Sequence, residues 1–204
     1  MRRAVGDLLA IAAQLVRVLG REHCLIIGGL AVAGHGYVRA TDDVDVIVNY
    51  SLEEARRRLR AAGIEAALIR GDLLEGDSPC MKGTLEGIAF DVLAPLVSLD
   101  WEKAVEVSTA SGRLRVVDLE GLMRLKLRAQ GIQDVLDTAI LVLRHPEYRD
   151  VAREIAEGFR VLDRLDAFLG DRRTQATANE QGRRERAGPE RREAVKRKAR
   201  RSSR

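Results

Sequence analysis

The sequence predicts an α+β fold: a mixed β-sheet with flanking helices, followed by a small C-terminal helical section. Three observations carry this prediction. Short apolar runs of strand length recur between residues 23 and 117. Only helical periodicity follows, from 118 to about 169. Glycines and capping residues stand at most of the joins, where elements must end.

The elements follow in order. Val5, Leu8, Leu9, Ala12, Leu15, Val16 and Leu19 recur at helical spacing over residues 4–19, and Gly20 is a C-terminal stop. A short apolar strand over 23–27 ends at Gly28-Gly29, and a short helix over 30–33 follows. A strand is expected at 43–48. Ser51-Leu52-Glu53-Glu54 reads as a capping box, opening a helix to about Ala62 that Gly63 ends. Strands are expected at 64–70, 80–86 and 88–94, the last two joined by a hairpin turn at Gly87. Residues 104–108 and 113–117 make another hairpin across Ser111-Gly112. Asp118 caps a helix to Gln130, Gly131 separates a second over 132–144, and Pro146 opens a third reaching Leu169.

Charge divides the chain. Residues 171–204 hold 13 Lys+Arg against 5 Asp+Glu, whereas 1–170 hold 22 against 26. The basic pI of 9.4 therefore belongs to the terminal segment. That segment contains no Leu, Ile, Phe, Tyr or Trp. It offers too little apolar surface to offset the entropy of ordering, so a basic disordered tail is expected over 171–204. Such a tail either binds RNA through phosphate charge or merely solubilises. With 3% aromatics, the core of the remainder must rest on Leu, Val, Ile and Ala. Two cysteines give no disulfide framework and suggest a reducing, cytoplasmic setting. The apolar run after Met1-Arg2-Arg3 is broken by Asp7, Gln14 and Arg17, as in an amphipathic helix, and no run approaches membrane-span length.

The chemistry concentrates between Gly28 and Asp91. Thirteen residues separate Gly28-Gly29 from Asp43-Val44-Asp45. Residues two apart on a strand share a face, so Asp43 and Asp45 stand side by side while Val44, Val46 and Val48 turn to the core. Two neighbouring carboxylates repel unless a cation lies between them, and Mg²⁺ favours one or two carboxylates plus phosphate oxygens. Glycine lets a phosphate approach the backbone, and the amides opening the helix after it form an anion site. Asp91, within Ala89-Phe90-Asp91-Val92-Leu93, places a third carboxylate in a strand where an unpaired charge is costly.

This ordered set resembles the first motif of the DNA polymerase β-like nucleotidyltransferase superfamily: a Gly-Gly or Gly-Ser pair, a spacer, then Asp-x-Asp on a strand. It is most similar to the AbiEii-type branch, known from type IV toxin–antitoxin pairs, in which Arg-x-Thr precedes the Asp pair. Arg39 and Thr41 stand there. Lys126 in Leu125-Lys126-Leu127 and the later Asp134-Val135-Leu136-Asp137 match further features of the branch. The resemblance covers about residues 20–145. It implies a nucleotidyltransferase-like sheet, with a catalytic core over 1–117 and a helical section of the same domain over 118–170. It also implies Mg²⁺ or Mn²⁺ held by Asp43, Asp45 and Asp91, with Asp91 as general base. Gly28, Gly29, Arg39, Thr41 and Lys126 would bind the NTP. The acceptor would be RNA, a protein or a small molecule, and a cognate antitoxin is the implied partner.

Two other classes compete. One is a non-catalytic nucleotide-binding module, regulatory or antitoxin-like, against which the complete acidic set argues. The other is a glycosyltransferase using Asp-x-Asp for a nucleotide sugar, which leaves the glycine pair unexplained. For Lys126, snorkelling past the core rivals contact with the triphosphate. Asp134 and Asp137 share one helix face, where they either pair with Lys126 or Arg128 or orient the site. His35 is read as helix-end structure.

Overall fold

The computed structural model describes residues 5–69, 79–95 and 97–183. The expected strand end at Arg70 and the basic segment from 184 onward lie outside them.

A seven-stranded mixed sheet carries the molecule. Its strands are β1 (Cys24–Ile26), β2 (Asp43–Val48), β3 (Ala66–Ile69), β4 (Cys80–Leu85), β5 (Ile88–Leu93), β6 (Val105–Thr109) and β7 (Gly112–Val116), in spatial order β3-β4-β5-β2-β1-β7-β6. β2 runs parallel to β5 and β1 parallel to β7, and the other pairs are antiparallel. The expected α+β mixed sheet is therefore present. The β4–β5 hairpin turns on Glu86 and Gly87, whose φ values of 50° and 76° are those of a tight primed turn.

Two helices, α1 (Val5–Leu19) and α3 (Leu52–Ala61), lie side by side on the face bearing Val44, Val46, Met81, Phe90 and Val92. Ser51 opens α3 as expected, its Oγ accepting from the Glu54 amide. On the other side α2 (Gly28–Gly34) packs on β2, and α4 (Leu119–Ala129) packs on α2. The helices α5 (Ile132–Arg144), α6 (Arg149–Gly158) and α7 (Leu162–Gly170) complete the C-terminal section. One continuous apolar core joins Leu8, Val46 and Phe90 to Leu127, Ile140 and Leu165. Cys24 is fully buried within it, which drives its thiol pKa up to about 12.

Two expectations need correction. The single helix read from Pro146 to Leu169 is three pieces: a 3₁₀ turn (Pro146–Tyr148), α6 and α7. The break falls at Phe159 and Arg160, where Arg160 takes φ 60° and Val161 N–H donates back to the Ala156 carbonyl. Turning the chain there lets α7 fold back onto α5, burying Leu165 and Leu169. The segment expected to be disordered from 171 begins with a helix instead, α8, at 172–183. Asp171 caps it by accepting from the Thr174 amide and hydroxyl at 2.9 and 3.1 Å. Thr174 and Ala178, four apart, present a small-residue face that is buried. Gln181 Nε2 donates to the Val38 carbonyl, and Arg144 Nη1 donates to that of Ala178. Close packing of small side chains and these polar ties replace the large apolar residues that the segment lacks.

Among the described residues no helix is long and apolar enough to cross a membrane.

Candidate active site

The site forms where β1 ends, α2 begins and β2 opens. Ile27 N–H donates to the Asp45 carbonyl, which seats the first turn of α2 directly over β2. Gly28 has φ 61°, and a Cβ there would lie 1.9 Å from Asp45 Oδ2. A Cβ at Gly29 would lie 2.4 Å from Thr41 Oγ1. The two glycines are thus required for different reasons. Gly28 needs both its backbone conformation and its bareness against Asp45, whereas Gly29 needs only the space that Thr41 occupies. The helix starts at Gly28 itself, two residues earlier than expected, so its first-turn amides lie at the glycine pair.

Thr41 links the glycine pair to the acidic strand. Its hydroxyl donates to Asp43 Oδ1 at 2.9 Å while its side chain packs on Gly29. Asp45 and Asp91 are direct partners across the parallel β2–β5 pair, so their side chains share a face with Asp43. Burial, then the charges of Asp43 and Asp91, push the Asp45 carboxyl up to about 7; Lys126 and Lys82 oppose this only partly.

The three carboxylates are neighbours, but they are not drawn around one point. Among the described residues no group of three or more His, Cys, Asp or Glu side chains is arranged to hold a metal ion. Asp91 instead receives Lys82 Nζ on Oδ2 at 2.6 Å. Lys82 is the residue that sequence reading missed. Its signal was present: a two-residue turn at Glu86-Gly87 pairs Leu85 with Ile88 and therefore Lys82 with Asp91.

Arg39 meets a partner that the sequence did not suggest, whereas Lys126 takes the structural alternative and pairs with Asp134 and Asp137. Arg39 Nε and Nη2 each donate at 2.8 Å to the two oxygens of Asp137, and Nη1 donates to its own neighbour's carbonyl at Ala40. Lys126, 6% exposed, binds Asp134 Oδ1 at 2.8 Å and Asp137 Oδ2 at 2.9 Å. Gln133 Nε2 also donates to Asp137, which is fully buried. Burial raises the Asp137 pKa, but this is outweighed by Arg39, Lys126 and Gln133, which hold the carboxyl below the usual carboxylate range. The expected phosphate ligands are therefore committed to a buried carboxylate, and the motif loop is riveted to α4 and α5. His35 caps the end of α2, its Nε2 2.7 Å from the Val117 carbonyl, as its structural reading anticipated.

Asp43 and Asp45 present carboxylate oxygens on one face, the donor type a hard divalent cation takes, although the described residues do not gather three such groups around one point.

Comparison with solved structures decides the fold. The structure aligns with a protein from Thermotoga maritima described as a nucleotidyltransferase, at TM-score 0.50 and 17% identity, over 63% of this chain and 88% of that one. The fold is that of the nucleotidyltransferases. A solution structure of the antibiotic-resistance factor ANT(2'')-Ia aligns at TM-score 0.51 and 11% identity, over 81% of this chain and 97% of its own. No protein-family model matches the sequence. No curated protein matches it either. Identity this low carries the nucleotidyltransferase architecture and no more, and the chemistry must be argued from the side chains.

Proposed function

We propose that the chain is a metal-dependent nucleotidyltransferase that moves a nucleoside monophosphate from an NTP to an acceptor hydroxyl, releasing pyrophosphate. One observation carries the reading: bare glycine backbone at the head of α2 lies directly against Asp45 of the Asp43–Asp45 pair. A phosphate-approachable turn and a cation-binding strand in contact are what a bound metal–triphosphate requires.

In this reading the amides at Gly28 and Gly29 cradle the β- and γ-phosphates. Asp43 and Asp45 hold Mg²⁺ or Mn²⁺, and Thr41 fixes Asp43 through its hydroxyl. Such an ion, when bound, neutralises the triphosphate and stabilises the charge of the departing pyrophosphate. Asp91, beside Asp45, accepts the proton of the acceptor hydroxyl. The acceptor oxygen forms a bond to the α-phosphorus as the bond from that phosphorus to the β-phosphate oxygen breaks. Arg39 and Lys126 are positioning residues: through Asp137 they hold the 39–42 loop, and so Thr41, in place. The resemblance to the AbiEii-type branch is supported by Arg39, Thr41, Lys126, Asp134 and Asp137, which meet at the site or in the adjoining network. It offers RNA or a protein as acceptor and an antitoxin as partner, with a small molecule as the remaining acceptor class.

The ion pair between Lys82 and Asp91 favours a second reading, a nucleotide-binding module that does not turn over, because it neutralises the proposed base. Incubation with each α-labelled NTP, Mg²⁺ and candidate acceptors separates the two. Transfer that falls by roughly 10³ or more in Asp45→Asn, a loss of about 4 kcal/mol in barrier lowering, supports the enzyme. Nucleotide binding without transfer to any acceptor supports the module, and equal transfer by Asp45→Asn sinks the assignment of this residue.

A further inference from the structure

We propose that the cleft between α3 and β3, where Arg56 and Arg60 stand without partners among the described residues, binds the phosphate backbone of a single-stranded nucleic acid whose terminal hydroxyl is the acceptor at Asp91. The acceptor role rests on the nucleotidyltransferase reading above; the binding does not.

The cleft is the first observation. It measures about 390 Å³ and is lined by Arg56, Arg60, Glu65, Ala66, Ala67 and Lys82. Three of these residues are cationic and one is acidic. That excess is local, because residues 1–170 as a whole hold 22 Lys+Arg against 26 Asp+Glu. Ala66 and Ala67 add no bulk to the lining. β3 is an edge strand, so the cleft lies at the margin of the sheet, where a long chain can pass.

The second observation is two uncommitted guanidinium groups. Helix α3 carries Arg56, Arg57, Arg58 and Arg60. Arg57 and Arg58 both donate to Glu54, and Arg58 also donates to the Leu19 carbonyl and lies over the Tyr50 ring. Arg56 and Arg60 make no hydrogen bond or ion pair among the described residues. They are four apart, so they share one side of α3, about 6 Å apart along its axis. A guanidinium presents a planar fork of donors that fits phosphate oxygens. No aromatic side chain lines the cleft, so contact is with the backbone and not with stacked bases.

The third observation is position. The glycine pair follows β1, on one side of Asp45 in β2, whereas β5, β4 and β3 lie on the other. Lys82 lines the cleft, and its Nζ is 2.6 Å from Asp91 Oδ2. The cleft therefore adjoins the acidic row from the side away from the glycines. An NTP held at the glycine pair leaves this side to the acceptor. A strand entering there meets cations with its phosphates and Asp91 with its terminal hydroxyl.

The test follows the fluorescence anisotropy of a short fluorescein-labelled oligo(A) RNA on the full chain, without NTP or metal, over a series of KCl concentrations. Wild type should bind, and the double variant Arg56→Gln, Arg60→Gln should bind at least tenfold more weakly. Losing two phosphate contacts should also reduce the salt slope by about 1.4, at roughly 0.7 per contact for single strands. Each single variant should lose part of the affinity. Because both arginines are exposed and unpaired among the described residues, the melting temperature should not change. A control with Arg17→Gln and Arg149→Gln removes the same charge at exposed positions elsewhere and should bind as wild type. No binding by wild type, equal binding by the double variant, or an equal loss in the control overturns the proposal. Displacement of the RNA by poly-glutamate more readily than by unlabelled oligo(A) also overturns it, in favour of an acidic protein. With labelled ATP and Mg²⁺, the double variant should raise KM for the RNA and leave kcat nearly unchanged. If the RNA binds through the cleft but takes no label while a protein or small molecule does, the acceptor role falls and the nucleotidyltransferase reading stands. If no acceptor of any class takes label, that reading fails and the acceptor role with it, while the cleft remains a binding site.

Discussion

Arg39 and Asp137, 98 positions apart in sequence, are joined by two parallel hydrogen bonds of 2.8 Å in which one guanidinium edge spans both oxygens of one carboxylate. Asp137 is fully buried and also receives Lys126 and Gln133. Removing it leaves a half-buried guanidinium without its carboxylate and a buried ammonium with Asp134 alone. Asp137→Ala should therefore destabilise the fold by about 3–5 kcal/mol, the usual cost of breaking a buried pair from one side. Arg39→Ala should cost less, because Asp137 keeps two donors. Urea unfolding of the two single variants and the double variant measures the coupling directly.

Asp45 should make stability fall with rising pH. Its carboxyl titrates at about 7 in the fold, against 3.8 ordinarily. Between those values the folded chain holds a proton that the unfolded chain has released. The contribution is complete below about pH 4 and is lost as pH rises through 7. Asp45→Asn cannot ionise, so its stability curve should be flatter. Above pH 7 the variant should be more stable than wild type by on the order of 2–4 kcal/mol, as the displacement of one carboxyl allows. Thermal melts of both proteins at pH 4, 6 and 8 without divalent metal give the comparison; a constant difference at every pH would contradict it.

Gly28→Ala should damage the site and the fold together. The new Cβ would meet Asp45 Oδ2 at 1.9 Å on a backbone of φ 61°. Strain of this kind costs on the order of 1–3 kcal/mol. The carboxylate must also move, so Mn²⁺ uptake at Asp45 should weaken. Melting temperature and Mn²⁺ affinity should both drop; an unchanged affinity would mean that Asp45 is not a ligand.

The α8 helix offers a test that needs no ligand. Amides within 175–180 should exchange at least tenfold more slowly than those of an unstructured chain, because the helix is capped by Asp171 and docked through Ala178 and Gln181. Exchange at the unprotected rate would show that this helix does not persist in solution.

Much of this was legible in the chain. Alternation over Asp43–Val48 placed the carboxylates on one face and the valines in the core, and Ser51 announced α3. The glycine pair marked the turn because no other residue tolerates what Asp45 and Thr41 do to the space above it. Partners were harder to read. Asp134 and Asp137 stood as candidate partners of Lys126, but nothing local to Arg39 shows that it too would end on Asp137, since that meeting depends on how α5 returns to the sheet. The break at Arg160 was hidden for a similar reason: a non-glycine residue at positive φ is selected by the packing of α7 on α5, not by propensity. The α8 helix was hidden because the absence of large apolar residues says nothing about how well small ones pack.

The primed turn at Glu86-Gly87 has an electrical meaning. Because it joins β4 and β5 with no residue to spare, it determines that a cation stands beside Asp91. Shift the pairing by one position and Gly83 or Met81 would take that place, with Lys82 turned to the opposite face of the sheet. The length of a surface turn thus fixes the net charge of the acidic row, and a single inserted residue there would alter its chemistry without touching one of its side chains.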